Sequence, residues 1–262
     1  MRIASLQPSI SITLRDLGQI DHICACTKYC VEALPELAAK GVPVLADSWT
    51  ADTEQIRAAR PDLVIASVPY RMESLAAILK SGLPVLALAP HSLEDIYTDM
   101  RLLGSVVRAH EQAEELAQRM QARIAATRTA AEAAARRPLV YCEEWGKPLI
   151  HSQKWVAELV EAAGGRFLGT PGAHTTAESI AEADPEVLLF AWCGAGSRVP
   201  LQRVVEQRGW EGLRAVKERR VFCVPDEFFN TPAIGLLEGL ACIAGAAHPD
   251  VFAAHPGIIA LA

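Results

Sequence analysis

The stretch "HEQAEELAQRMQARIAATRTAAEAAARR" (110–137) decides the fold. It is rich in Ala, Glu, Gln and Arg, all strong helix formers, and holds neither Gly nor Pro. Leu116, Met120 and Ile124 fall at i, i+4 and i+8, which gives one apolar stripe. Upstream, Ser92 followed by Glu94 and Asp95 reads as an N-cap with an acidic first turn. The helix it opens should end at Leu103 or Gly104, and a second should run from about 110 to 136. At 1.5 Å per residue the second helix is about 40 Å long. Placed between two α/β halves, it reads as a rigid strut rather than a coiled-coil arm. The expected division is therefore an N-terminal α/β lobe over residues 1–105, a backbone helix linker over 106–137, and a C-terminal α/β lobe over 138–262.

Short apolar runs flank this segment on both sides. Before it come "RIASL" (2–6), "HICACT" (22–27), "VPVLA" (42–46), "DLVIAS" (62–67) and "PVLALA" (84–89). After it come "PLVYCE" (138–143), "RFLG" (166–169), "EVLLFAW" (186–192) and "RVFCVP" (220–225). They are apolar throughout rather than alternating, as parallel strands covered on both faces must be. Strands alternating with helical patterns imply βαβ units and an α/β fold. A weak repeat relates the halves. A shift of 124 residues lays "TEQIRAARPDLVI" (53–65) on "AESIAEADPEVLL" (177–189), so that Glu54 meets Glu178, Ile56 meets Ile180 and Pro61 meets Pro185.

Composition excludes several classes. The chain has 262 residues, 51% hydrophobic and 21% charged, with a net charge of −6, so it can build a large core and offers no basic surface for nucleic acid. No run is long and apolar enough to span a membrane. The opening "MRIASLQPSI" holds no apolar h-region, so the chain as written is expected in the cytoplasm, or in the periplasm if a signal has been removed. Seven cysteines, irregularly spaced and partly inside apolar runs, fit reduced thiols better than a disulfide framework.

In open parallel sheets, ligands bind beyond the carboxyl ends of the strands. The segments expected there carry Gln7, Lys28, Cys30, Trp49, Tyr70 and Arg71 in the first half, and Glu144, Trp145, Trp192, Cys193, Phe228 and Phe229 in the second. Aromatic residues make up only 6% of the chain, so their concentration at these ends is selective. An aromatic-lined cleft with a few polar groups suits a bulky, partly apolar small molecule. In "CEEW" (142–145), neighbouring residues on an extended segment point to opposite sides. At most one of Glu143 and Glu144 then enters the cleft, and the other is expected as a solvated rim charge. His151 lies closest to that cleft and is a candidate axial ligand for a cobalt or iron chelate, set against the default of a surface or hydrogen-bonded His.

"CACTKYC" (24–30) raises a metal or redox alternative. Its C-x-C and C-x₃-C spacings fit neither zinc nor thioredoxin patterns. Cys24 and Cys26 are expected to fill core space on a buried strand. Cys30, past the strand end, and Cys193 remain as candidates for a thiolate enzyme or a thiolate metal site. "CGAGS" (193–197) is a Gly-rich turn of the kind that cradles phosphate, yet it matches no nucleotide fingerprint.

Several segments together resemble the helical-backbone metal-receptor superfamily, the binding proteins of ABC importers that carry cobalamin, haem or iron–siderophore complexes. They are "RIASLQPSISITLRDLG" (2–18), "SWTADTEQIRAARPDLVIAS" (48–67), "LALAPHSLEDIYTDMRLLG" (86–104), "EEWGKPLIHSQKWVAELVEAAGG" (143–165) and "GWEGLRAVKERRVFCVPDEFFNTPA" (209–233). The resemblance implies a class III periplasmic-binding-protein fold, two Rossmann-like lobes with central parallel sheets joined by a long backbone helix. It implies a non-catalytic protein holding cobalamin, another corrinoid or a similar metal chelate in an aromatic inter-lobe cleft, with no nucleotide. Trp49, Tyr70, Trp145 and Phe229 match the family's aromatic contacts to the corrin, and "TKYC" with "AWCG" (191–194) resembles a signal-less branch. An ABC permease is the implied partner. Docking in the family relies on an acidic residue on each lobe. Glu73 matches on the first, whereas "SRVPLQRVV" (197–205) is basic on the second. Lys28, Arg71 and Glu144 are expected to supply the ligand's hydrogen bonds.

Overall fold

The computed structural model describes residues 1–46, 52–69 and 71–261. The chain forms two compact units, Met1–Arg119 and Met120–Ala262, and the division falls inside the long helix.

The first unit runs β1 (Ile3–Ser5), α1 (Pro8–Asp16), a 3-10 turn, β2 (Ile23–Thr27), α2 (Lys28–Ala33), α3 (Glu36–Ala39), β3 (Val44–Leu45), α4 (Thr53–Ala58), β4 (Leu63–Ser67), α5 (Met72–Lys80), β5 (Val85–Leu88) and α6 (Leu93–Val106), and then enters α7 (His110–Ala131). Its sheet is wholly parallel, in the order β3-β2-β1-β4-β5. Ala4, Leu6, Ala25, Val64 and Ala66 pack on one face against Ile56 of α4 and Ile78 of α5. Small side chains on the central strands let these helices sit close to the sheet.

The expected capping of α6 is present. Ser92 Oγ accepts from the Asp95 amide at 3.3 Å, and the Asp95 carboxylate accepts back from the Ser92 amide at 2.9 Å. This box satisfies two of the orphan donors at the helix start. Helix α7 has 22 residues and ends five residues short of the expected 136. Leu116, Met120 and Ile124 are all buried, as the stripe predicts. Each such side chain contributes roughly 1.5–3 kcal/mol on burial.

The second unit continues with β6 (Leu139–Gly146), β7 (Leu149–His151), α8 (Lys154–Ala162), β8 (Arg166–Phe167), β9 (His174–Thr175), α9 (Ala177–Ala183), β10 (Val187–Phe190), α10 (Leu201–Arg208), α11 (Arg214–Lys217), β11 (Val221–Cys223), α12 (Glu227–Asn230), α13 (Leu236–Ala247) and β12 (Ile259–Ala260). Strands β8, β6, β10 and β11 are parallel neighbours, extended by antiparallel β7, β9 and β12. Tyr141, Leu188, Phe190, Val205 and Trp210 belong to one apolar cluster of this unit.

All nine expected strands form, and both sheets are α/β with a parallel centre. The repeat is also physical. The parallel order β2-β1-β4-β5 in the first unit matches β8-β6-β10-β11 in the second. Helices α4 and α9 start at equivalent positions with side-chain N-caps, Asp52 and Thr176. Arg60 and Asp184, again equivalent, both take positive φ (48° and 42°) before the matched prolines.

Two expectations need correction. "EEW" does not form an end loop. Strand β6 continues through Gly146 because β7 pairs with it as an antiparallel hairpin. "TKYC" is not a loop either, since Thr27 caps α2 and Lys28 opens it.

Candidate functional site

A doubly wound sheet opens a crevice where its connections diverge to either side, at the carboxyl ends of two neighbouring strands. In the first unit that point lies between β1 and β4, and in the second between β6 and β10. The two edges are built differently.

At the first unit's edge, Gln7 Nε2 donates to the Pro69 carbonyl at 2.8 Å and ties the β1 and β4 loops together. Lys28, exposed at the start of α2, places its ammonium 4.8 Å from the centre of the Tyr29 ring. Arg71 is exposed at the N-cap of α5. Trp49 and Tyr70 lie outside the described residues.

Cys30 is fully buried. Its amide donates to Thr27 Oγ1 at 3.4 Å, and its thiol lies 3.3 Å from the same oxygen and 3.7 Å from the Ser5 carbonyl. The neighbouring Cys26 thiol, hydrogen-bonded to it, pulls the Cys30 thiol below the ordinary range against the opposing effect of burial. Cys26 moves the other way, held up by the same bond. With no solvent path to its sulfur, Cys30 is interior packing and not a cleft residue. Of the two cysteines expected in the core, Cys26 is buried and Cys24 only partly so.

The second unit's edge gathers most of the remaining candidates. Trp145 is 43% exposed, with Nε1 donating to the Lys147 carbonyl at 2.7 Å. Trp192 is half-buried just past β10, and Nε1 donates to Glu143 Oε1 at 2.7 Å. Glu144 accepts from Gln153 Nε2 at 2.6 Å and lies 3.8 Å from the Cys193 thiol. Burial pushes the Glu144 carboxyl above its usual range. The Cys193 thiol is pushed well up by burial and by the nearby Glu144 and Asp226 carboxylates. Phe228 is half-buried and meets the His255 ring edge to face at 5.8 Å.

The "CGAGS" turn already holds an anion. The Asp226 carboxylate accepts from the amides of Gly194 at 2.7 Å and Gly196 at 3.0 Å. Both glycines have positive φ, which aims their N–H groups at one point. The phosphate reading therefore fails, because a side-chain carboxylate occupies the donors.

Two further candidates are interior. Phe229 is fully buried, and its carbonyl accepts from Trp155 Nε1 at 2.7 Å. His151 is 3% exposed, sits 5.4 Å from the Tyr141 ring, and burial lowers its pKa. It is a buried packing residue rather than a rim ligand.

Sequence reasoning missed the chemistry beneath this edge. Glu143, expected as a solvated rim charge when Glu144 entered the cleft, is fully buried. It accepts from Tyr141 Oη at 2.5 Å and from Arg208 at 2.7 and 2.9 Å. The Arg208 guanidinium also lies 4.8 Å from the centre of the Trp210 ring. Tyr141, two residues before Glu143 on the same strand face, was the local signal. Arg208 is 65 residues away and gave none.

The thiols give a direct check on the enzyme alternative. Near neutral pH, iodoacetamide followed by peptide mass mapping is expected to find Cys30 and Cys193 unmodified in the native protein. Burial blocks the first, and a raised pKa leaves the second without thiolate. Rapid labelling of either would restore thiolate chemistry. Among the described residues no group of three or more His, Cys, Asp or Glu side chains is placed to hold a metal ion, and no helix is long and apolar enough to cross a membrane.

Known proteins share this architecture. A periplasmic heme-binding protein from Pseudomonas aeruginosa superposes with a TM-score of 0.86 at 20% identity, over 100% of this chain and 98% of that one. The periplasmic vitamin B12-binding protein BtuF of Vibrio cholerae does so with a TM-score of 0.76 at 20% identity, over 95% and 96%. The uncharacterized ABC transporter substrate-binding lipoprotein YvrC of Bacillus subtilis is 22% identical over 263 aligned positions, which cover 96% of this chain and 81% of that protein. The family described as "Periplasmic binding protein" matches residues 3–228. That match spans most of both units and the helix between them in sequence, and the chain belongs to the periplasmic binding protein family.

Proposed function

We propose that the chain is a non-catalytic substrate-binding protein that carries a metal chelate of the corrinoid or haem class to an ABC permease, working in the periplasm. The observation that carries this reading is the aromatic edge of the second unit. Trp145 at the carboxyl end of β6, Trp192 just past β10 and Phe228 beyond β11 are exposed or half-buried, and Glu144 and Cys193 lie 3.8 Å apart among the same segments. A broad, flat macrocycle gains most from such a surface, through stacking and through apolar area removed from water. Lys28 and Arg71 remain proposed donors to the ligand's polar substituents. The relatives support the class of ligand, since one binds heme and another vitamin B12. The family's description supports the location, and the Bacillus subtilis relative supports the permease partner. Cobalamin and haem both fit this chemistry. The burial of Cys30 and the upward push on the Cys193 thiol support a binding role over a thiolate one.

Protein purified from its native host decides between the chelates. A corrin band with stoichiometric cobalt, or a Soret band with stoichiometric iron, is the expected result. A colourless protein that stays colourless after growth with either chelate would contradict the reading.

A further inference from the structure

The Trp192 indole has little freedom. Nε1 donates to a carboxylate with no solvent exposure, and that carboxylate is itself locked by Arg208 and Tyr141. The edge of the indole's six-membered ring on the Nε1 side lies over Gly146 at the end of β6. A Cβ built on Gly146 would stand 2.5 Å from Trp192 Cζ2, 2.8 Å from Cε2 and 3.0 Å from Cη2. Gly146 does not take the positive φ that glycine favours, so its lack of a side chain serves the ring and not the backbone. The loop beyond Trp192 is pinned as well, since Asp226 holds the amides of Gly194 and Gly196. A buried polar network whose members are paired in this way rigidifies the side chains it joins.

We propose that Glu143, backed by Arg208 and given room by Gly146, is a positioning residue that fixes the Trp192 indole as a preset wall for the bound chelate. This rests on the functional reading above and sharpens it, because it makes the binding surface rigid before the ligand arrives. A preset aromatic wall loses little rotamer freedom on binding, so more of the stacking energy appears as affinity. It also sets specificity. A ring locked in one plane favours a flat macrocycle over a globular chelate, whereas a free indole adapts to either.

Three variants test the proposal without removing the buried charge. Gly146→Ala pushes the ring off its seat. Trp192→Phe keeps a ring but deletes the donor to Glu143, and leaves that carboxylate its Arg208 and Tyr141 partners. Gly212→Ala is the control, as a Cβ there meets nothing within 4 Å. Each is compared with the unaltered chain by near-ultraviolet circular dichroism without ligand, and by titration with haemin and with cyanocobalamin. Gly146→Ala and Trp192→Phe are each expected to weaken binding of the preferred chelate about tenfold, the loss of one well-placed aromatic contact. Gly146→Ala is also expected to change the tryptophan fine structure of the free protein and to lower its melting temperature modestly, so its binding is compared below the transition, where the variant is folded. Gly212→Ala should match the unaltered chain in every measurement.

If the unaltered chain binds a chelate and both variants bind it equally well, the positioning role is overturned and the functional reading stands. If the unaltered chain binds neither chelate, the functional reading is overturned. The dichroism then decides whether the indole is fixed, and an unchanged spectrum in Gly146→Ala overturns that too.

Discussion

Replacing Glu143 with alanine is expected to destabilise the protein by about 3–5 kcal/mol, the usual consequence of removing one partner of a buried ion pair. Arg208, whose side chain is only 10% exposed, would keep its charge with no counter-charge. The Tyr141 hydroxyl and the Trp192 indole N–H would lose their acceptor at the same time. Urea unfolding of the second unit should show a lower midpoint at an unchanged slope. The gross strength of the pair is not the reason. An apolar pair in its place can be neutral, so Glu143→Leu combined with Arg208→Met should recover the part due to the stranded Arg208 charge, and not the part due to the unpaired Tyr141 and Trp192 donors. A loss below about 1 kcal/mol for the single variant would mean that water reaches Arg208 and that the pair is not buried in solution.

The second large effect separates two aromatic residues that look alike in sequence. Trp192→Ala is expected to weaken chelate binding about 30-fold or more, as truncating an aromatic anchor does, with only a modest loss of stability. Phe229→Ala should do the reverse. Its ring is wholly buried, so truncation leaves a cavity and lowers stability by about 3–5 kcal/mol. Any loss of binding at Phe229 should follow the fraction unfolded. Parallel melting curves and titrations of the two variants check this. Equal effects on binding at matched folded fractions would place Phe229 at the ligand.

The fold was legible because its signals are local. Apolar runs and breaker residues marked nine strands, and the Gly- and Pro-free stretch from His110 marked α7. The Ser92 cap was readable from three neighbouring side chains. The strands that went unread, β7, β9 and β12, have two or three residues each and pair antiparallel, β9 and β12 at the two ends of the sheet, too short for any period to register.

The candidate site was legible only in outline. Strand ends gave the right neighbourhood for Trp145, Trp192, Cys193 and Phe228. Exposure was not readable, so Cys30, His151 and Phe229 were candidates for the ligand cleft and are buried. The most consequential group, Glu143, was expected in water because its neighbour Glu144 was given the cleft and adjacent residues on an extended segment point to opposite sides. Its burial depends on Arg208, which arrives through α10 and has no sequence relation to it.

The central claim is that the chain binds a macrocyclic metal chelate against its aromatic edge. The most direct measurement is a titration of the purified chain with haemin and with cyanocobalamin, following tryptophan fluorescence and the ligand's visible bands together. The account predicts saturable binding of at least one chelate at one per chain, with quenching that falls markedly in Trp192→Phe. No saturable change with either ligand would contradict it.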